Sequence, residues 1–408
     1  MGASTLDNIP IIGGITSFLR RQKPQFRANI LKNQASGFAV SLPTQYQALY
    51  LTALGASPLL LGYMNSITGI VMMAVAVPAG FILDRFGLKR VMLAALIFYT
   101  LGALALGLSG TWETATLALV IVALGNALDR LSCPMVCGSM LKSSERATGM
   151  GICDTLSLTP SLIAPFAAAA LITMSGGLNA AGIRPIYYLQ AAAFLIAIAI
   201  IYTRFKTPET PHTSTPLKNP LADAGKLLNR NTSLWVILTM LSTFPIQVYF
   251  YTSLFAAEVK GADAFTLGGM SVAYAAVMLL AIPIGRASDS FGRKKVIIIS
   301  AALAAASYAV LITAQNTATL LIAGLLSGFT MTISQTQTAI APDLIPPDYL
   351  GRWYGLLAFF RGVISIVAPL LCGYIWYMIS PESVFILLIL VQLTHLAVLM
   401  LIPTSITR

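Results

Sequence analysis

Charge is what this sequence has least of. Only 10% of its 408 residues are Asp, Glu, Lys or Arg, against roughly 25% in a soluble domain. A chain of this size cannot clothe a water-facing surface with so few. Two histidines in all leave no basis for a zinc centre or a His-dependent triad. The four cysteines, Cys133, Cys137, Cys153 and Cys372, all fall in apolar stretches. Cys133 and Cys137 are one helical turn apart, but a pair supplies too few metal ligands, so they read as small buried residues. No Gly-x-x-x-x-Gly-Lys-Ser/Thr loop occurs. That argues against ATP-driven pumping by this chain alone, and with the rest it implies no enzyme, no cofactor and no metal. No cleavable leader is evident, because the first apolar patch is short and its basic cluster follows it. Met1-Gly2 is not followed by Ser or Thr at position 6, where Leu6 stands, so myristoylation is not expected.

What is abundant is apolar sequence, 57% of the chain. Runs near twenty residues read as membrane spans, and twelve are predicted, at 28–53, 60–83, 91–109, 114–139, 147–173, 185–203, 233–257, 267–286, 295–313, 318–340, 353–377 and 383–402. The expected fold is an all-α integral membrane protein. Its net charge of +11 is not spread evenly. Arg184 and Lys260 fall in loops on one side, Arg130 and Arg361 inside helices, and every other Lys or Arg on the opposite side or at its boundary. This is the positive-inside pattern. It predicts cytoplasmic termini and a cell (inner or plasma) membrane location, and it explains the basic charge without a nucleic-acid partner. Residues 9–23, with Ile12, Ile15, Phe18 and Leu19 before Arg20, Arg21 and Lys23, are expected to form a short amphipathic helix on the bilayer surface.

A long-range repeat organises the chain. Pro78-Ala-Gly80-Phe-Ile-Leu-Asp84-Arg85-Phe-Gly87-Leu-Lys89-Arg90 recurs as Pro283-Ile-Gly285-Arg-Ala-Ser-Asp289-Ser-Phe-Gly292-Arg293-Lys294-Lys295, half a chain later. Ile163-Ala164-Pro165 parallels Val367-Ala368-Pro369, and Leu42-Pro43-Thr44-Gln45 more weakly parallels Phe244-Pro245-Ile246-Gln247. Matches in register argue for duplication of a six-helix unit. The expected units are an N-terminal segment (1–27), a six-helix bundle (28–203), a Pro- and Thr-rich linker (204–232), a second bundle (233–402) and a tail (403–408).

These features resemble the major facilitator superfamily. Its loop signature, Gly-x-x-x-Asp-Arg-x-Gly-Arg-Lys/Arg between helices 2 and 3, is similar to Gly80 to Arg90, with Leu88 in place of the first basic residue. It recurs between helices 8 and 9 at Gly285 to Lys295, with Ser290 after the aspartate. The resemblance implies two pseudo-symmetric six-helix bundles and rocker-switch alternating access. It also implies a conformational gate at Gly80, Asp84, Arg85, Gly87, Gly285, Asp289, Gly292 and Arg293. Asp84 and Asp289 would latch the halves by facing helix N-termini, and the basic residues would anchor the loops at the lipid surface.

The family places helices 1, 4, 7 and 10 around a central cavity, and these are the polar ones here, as expected of helices facing a wet interior. Substrate-binding candidates are Arg130, Arg361, Gln45, Tyr46, Gln247, Tyr249, Gln335 and Gln337. The Tyr and Gln residues could bind solute or simply bridge helices. A charge near the bilayer centre is costly, so Arg130, Asp154 and Arg361, each about 12–16 Å deep at ~1.5 Å per residue, are the sharpest clues. Arg130 and Asp154 could form a fixed pair or handle solute and protons. Asp129 points about 100° away from Arg130 and needs another partner. Asp154 and Asp129 are the proton-coupling candidates. Lys32, at the start of helix 1, is expected to snorkel to the interface, and His395 to be structural. Two buried arginines favour an anionic or zwitterionic organic solute. The reading is a monomeric secondary-active transporter whose partners are that solute, the lipid bilayer and protons. A proton-coupled multidrug or amphiphile exporter is the alternative, weakened by Thr159-Pro160-Ser-Leu-Ile-Ala-Pro165 where such exporters are Gly-rich. A non-transporting membrane sensor or scaffold is the alternative of another class.

Overall fold

Lipid offers backbone groups no hydrogen-bond partner, so a chain this apolar must satisfy them within helices. The computed structural model describes residues 18–141, 145–205, 230–344 and 350–402, and among these there is no strand. Span 1 is Pro24–Ser41 continued by Gln47–Ala53. Span 2 is Pro58–Phe86, span 3 Leu88–Leu108, and span 4 Trp112–Asp129 with Ser132–Met140. Span 5 is Arg146–Leu158, a 3-10 turn Thr159–Leu162, and Ala164–Met174, and span 6 is Ala180–Arg204. The second half repeats the order. Span 7 is Arg230–Gln247 with Phe250–Glu258, span 8 Ala264–Leu279 with Ala281–Phe291, and span 9 Arg293–Thr313. Span 10 is Thr317–Ser327 with Phe329–Leu344, span 11 Leu350–Met378, and span 12 Pro381–Met400. Ten are long and apolar enough to cross a membrane by composition. The exceptions are span 1, which is too polar, and span 8, which is split. Most of the predicted amphipathic segment, most of the linker, and the tail lie outside the described residues. Of the first, Phe18 packs edge-on against Phe26, ring centroids 6.2 Å apart.

The interruptions have a common cause. A proline ring clashes with the carbonyl four residues before it and donates no N–H. Pro134 sits four residues after the break at Arg130, and Pro283 four after Leu279, where span 8 divides. Pro43 and Pro160 lie at the breaks in spans 1 and 5. Gly87 and Gly292, at repeat-equivalent places, close spans 2 and 8 with φ of 78° and 97°. A side chain is disfavoured there, and the tight turn follows. Equivalent caps also open spans 2 and 8: Ser57 accepts from the amide of Leu60, and Asp263 from that of Thr266.

The apolar core differs between the two ends of the molecule. At the end away from the basic loops one core crosses both halves, joining Tyr46, Leu61, Ala168 and Ile172 to Tyr251, Phe255, Leu267 and Ala368. Towards the basic loops it divides. Phe26, Leu96, Val136 and Phe194 form a core within the first half, and Trp235, Ile297, Ile333 and Trp353 one within the second. The halves are therefore sealed together at one end and parted at the other.

Candidate functional site

The seal is built twice, by repeat-equivalent residues. The Tyr46 hydroxyl lies 3.1 Å from the Pro165 carbonyl of span 5 and 3.0 Å from the Ala264 carbonyl at the start of span 8, donating to one at a time. The Tyr251 hydroxyl lies 3.4 Å from the Pro369 carbonyl of span 11 and 2.8 Å from the Pro58 carbonyl at the start of span 2. Glycines make both approaches possible. A Cβ on Gly62 would sit 2.5 Å from the Pro369 carbonyl oxygen, and one on Gly268 3.0 Å from that of Pro165. Ser66 donates to the Ile366 carbonyl at 2.6 Å. Gln45 Nε2 donates to the Tyr249 hydroxyl at 3.2 Å, and the Tyr249 ring lies against that of Tyr274, centroids 4.8 Å apart. Gln45 and Tyr46, singled out as solute ligands, are thus engaged in joining the halves in this conformation. Tyr251, Gly62 and Gly268 were not singled out, although the repeat offset relates Tyr46 to Tyr251 and Gly62 to Gly268.

Below the seal the charged residues arrange differently from expectation. Lys32 does not snorkel. Span 1 begins at Pro24, four residues earlier than predicted, which puts Lys32 about two turns deep. Its ammonium bonds Asp129 Oδ1 at 2.8 Å, with the two side chains 2% and 23% exposed. Arg130 follows the first piece of span 4, is exposed, and donates through Nε to Asn126 Oδ1 at 3.3 Å. Arg361 of span 11 lies within electrostatic range of Arg130, and its buried Nε has no hydrogen-bond partner among the described residues. The side chain of Asp154 lies outside the described residues.

Three glutamines diverge. Gln247, half-buried, ends the first piece of span 7, and Gln335 of span 10 is exposed. Gln337 is buried inside the second half, where its Oε1 accepts from Ser242 at 2.7 Å and its Nε2 lies 2.7 Å from His395 Nε2. It ties spans 7, 10 and 12 together and does not line the space between the halves. Polarity alone could not separate these faces of span 10, since Gln335 and Gln337 are two residues apart and point to different sides.

At the parted end, Gly80, Gly87, Gly285, Gly292 and Gly355 have no heavy atom of a described residue within 4 Å of a Cβ built on them. Asp84 is exposed, and Arg85 lies over the Phe86 ring at 5.5 Å. The Asp289 side chain is outside the described residues, and Arg293 is half-buried. Two basic residues of the repeated loop have a role other than lipid anchoring. Lys89 donates to the Tyr202 carbonyl at 3.0 Å and Lys294 to the Ile402 carbonyl at 2.6 Å, capping the ends of spans 6 and 12 with positive charge.

The Major Facilitator Superfamily model matches residues 34–281 and 269–406. The chain belongs to this superfamily. Among curated relatives it is similar to the class B tetracycline resistance protein of Escherichia coli, 25% identical over 177 residues, which make up 42% of this chain and 44% of that one. The match thus spans less than half of that relative. Among solved structures, a mutant of the nucleoside transporter NupG superposes with a TM-score of 0.74, at 14% identity, over 93% of this chain and 99% of that one. A bacterial homologue of the human lysosomal transporter Spinster, inward-facing and occupied, gives 0.72 at 12% identity, over 95% and 98%. At such identities the likeness is one of fold. Membership of the family makes the chain a multi-pass membrane transporter of a solute.

Proposed function

We propose that the protein is a secondary-active transporter that moves a small organic anion or zwitterion across the cell membrane by rocking its two halves about a central site, with protons as the coupling ion. The observation that carries the proposal is the Lys32–Asp129 pair, bonded at 2.8 Å between spans 1 and 4. Each buried ion costs several kcal/mol to desolvate, and a pair held only for stability is often replaceable by apolar residues. A carboxylate that loses its charge on protonation and frees the neighbouring ammonium gives such a pair a use. Arg130 and Arg361, within electrostatic range of each other, face no carboxylate among the described side chains, which favours an anion between them. With both termini cytoplasmic, as the distribution of basic residues supports, the parted end opens to the cytoplasm and the tyrosine seal faces outward.

The relationship to the tetracycline resistance protein favours a second reading, export of a drug-like compound, which shares the mechanism and differs in direction and solute. A thermal-stabilisation screen of the purified protein tests the anion assignment. Carboxylates and organophosphates should raise the melting temperature where cations and neutral sugars do not, and Arg361→Gln should remove the shift. Stabilisation by cationic drugs alone would overturn it.

A further inference from the structure

Taken singly, Cys133, Cys137 and Cys153 read as small buried residues, but the fold collects their sulfurs. All three Sγ atoms lie within 4.8 Å of one another, and those of Cys133 and Cys137 are 3.9 Å apart. None of the three is in a disulfide. Cys133 and Cys137 come from the second piece of span 4 and Cys153 from the first piece of span 5. Asn29 of span 1 borders the cluster. It is fully buried, its Nδ2 lies 3.9 Å from Cys153 Sγ, and its Oδ1 has no hydrogen-bond partner among the described residues. Cys137 and Cys153 are buried, whereas Cys133 is only partly so and leaves one edge of the cluster open.

We propose that Cys133, Cys137 and Cys153 form a binding site for a soft, thiophilic divalent cation of the zinc–cadmium class, with the Asn29 side-chain oxygen as the fourth ligand. A metal–thiolate bond of about 2.3 Å sets the sulfurs of a trigonal or tetrahedral site roughly 3.8–4.0 Å apart. One pair already has that spacing, and the third sulfur needs to close by less than about 1 Å. Rotation of the Asn29 amide about its terminal torsion exchanges Nδ2 for the unpartnered Oδ1 and supplies a neutral oxygen ligand. Binding one divalent cation displaces three thiol protons to solvent, leaving a complex of net charge −1 without any redox step. The Lys32 ammonium, within electrostatic range of Cys133, offsets that charge.

A disulfide is a poorer use of the cluster. Cys133 and Cys137, one turn apart, have Cβ atoms about 5–6 Å apart, beyond the roughly 3.5–4.5 Å a disulfide needs. Only a bond to Cys153 could form, leaving one thiol over. Metal binding at these thiols is independent of which solute is carried.

The test is a titration of the full-length purified protein, kept reduced with a phosphine, with Cd2+. The expected result is one tight equivalent per chain, a thiolate-to-cadmium charge-transfer band, and about three protons released per ion in weak buffer. Cys137→Ser and Cys153→Ser should each weaken binding tenfold or more, and Cys372→Ser should leave it unchanged. Should a serine variant fail to fold, wild-type protein gives the same answer, because Cd2+ should slow maleimide labelling of the partly exposed Cys133. No charge-transfer band, binding that survives Cys153→Ser, or a Cys153 disulfide with no cadmium binding after reduction would each overturn the proposal.

Discussion

The hydroxyls of Tyr46 and Tyr251 do the same thing in opposite halves. Each is buried and lies between a proline carbonyl of its own half, Pro165 or Pro369, and the carbonyl that starts a span of the other half, Ala264 or Pro58, donating to one at a time. The pair is a pseudo-two-fold seal. Each hydroxyl should contribute about 1 kcal/mol to closure, the usual net worth of a hydrogen bond.

Tyr46→Phe and Tyr251→Phe should therefore shift the conformational equilibrium equally, each opening the sealed end roughly fivefold more often. Distance distributions between labels placed at Glu113 and Ala318, both exposed at that end, measure this. A large effect from one tyrosine and none from the other would show that the symmetry is geometric and not energetic.

The glycines beneath the tyrosines should not be equivalent. A methyl on Gly62 meets the Pro369 oxygen at 2.5 Å, which backbone must move to relieve, whereas one on Gly268 meets that of Pro165 at 3.0 Å. Gly62→Ala should keep the halves from sealing, and Gly268→Ala should only loosen them. The same label pair would show a dominant long distance in the first variant and a mixture in the second.

Much of this fold was legible in the sequence because it depends on local pattern. The spans follow from apolar runs, and the turns at Gly87 and Gly292 from the repeated loop. The site was less legible. Span 1 begins four residues before its apolar run suggests, and that shift moves Lys32 from the interface to the interior. Gln337 was assigned to the cavity because composition reports that a helix is polar, not which face is wet. The thiol cluster joins residues of two spans and could not be seen from the spacing of Cys133 and Cys137 alone.

The Lys32–Asp129 pair makes a separable claim about stability. Asp129→Asn strands a buried ammonium and should destabilise the protein by about 3 kcal/mol, the lower end for breaking a buried pair, because Asp129 is partly exposed. Lys32→Met combined with Asp129→Leu should recover most of that loss. Thermal unfolding of Lys32→Met, Asp129→Leu and the double variant measures the coupling. Strictly additive losses would mean that the two charges do not interact.

The most direct test of the transport account is flux into proteoliposomes at imposed pH gradients, using whichever organic anion stabilises the purified protein most. A pH gradient should drive the anion against its concentration gradient. Asp129→Asn should abolish this accumulation while leaving exchange of labelled for unlabelled anion intact. Accumulation that ignores the pH gradient, or that persists undiminished in Asp129→Asn, would contradict it.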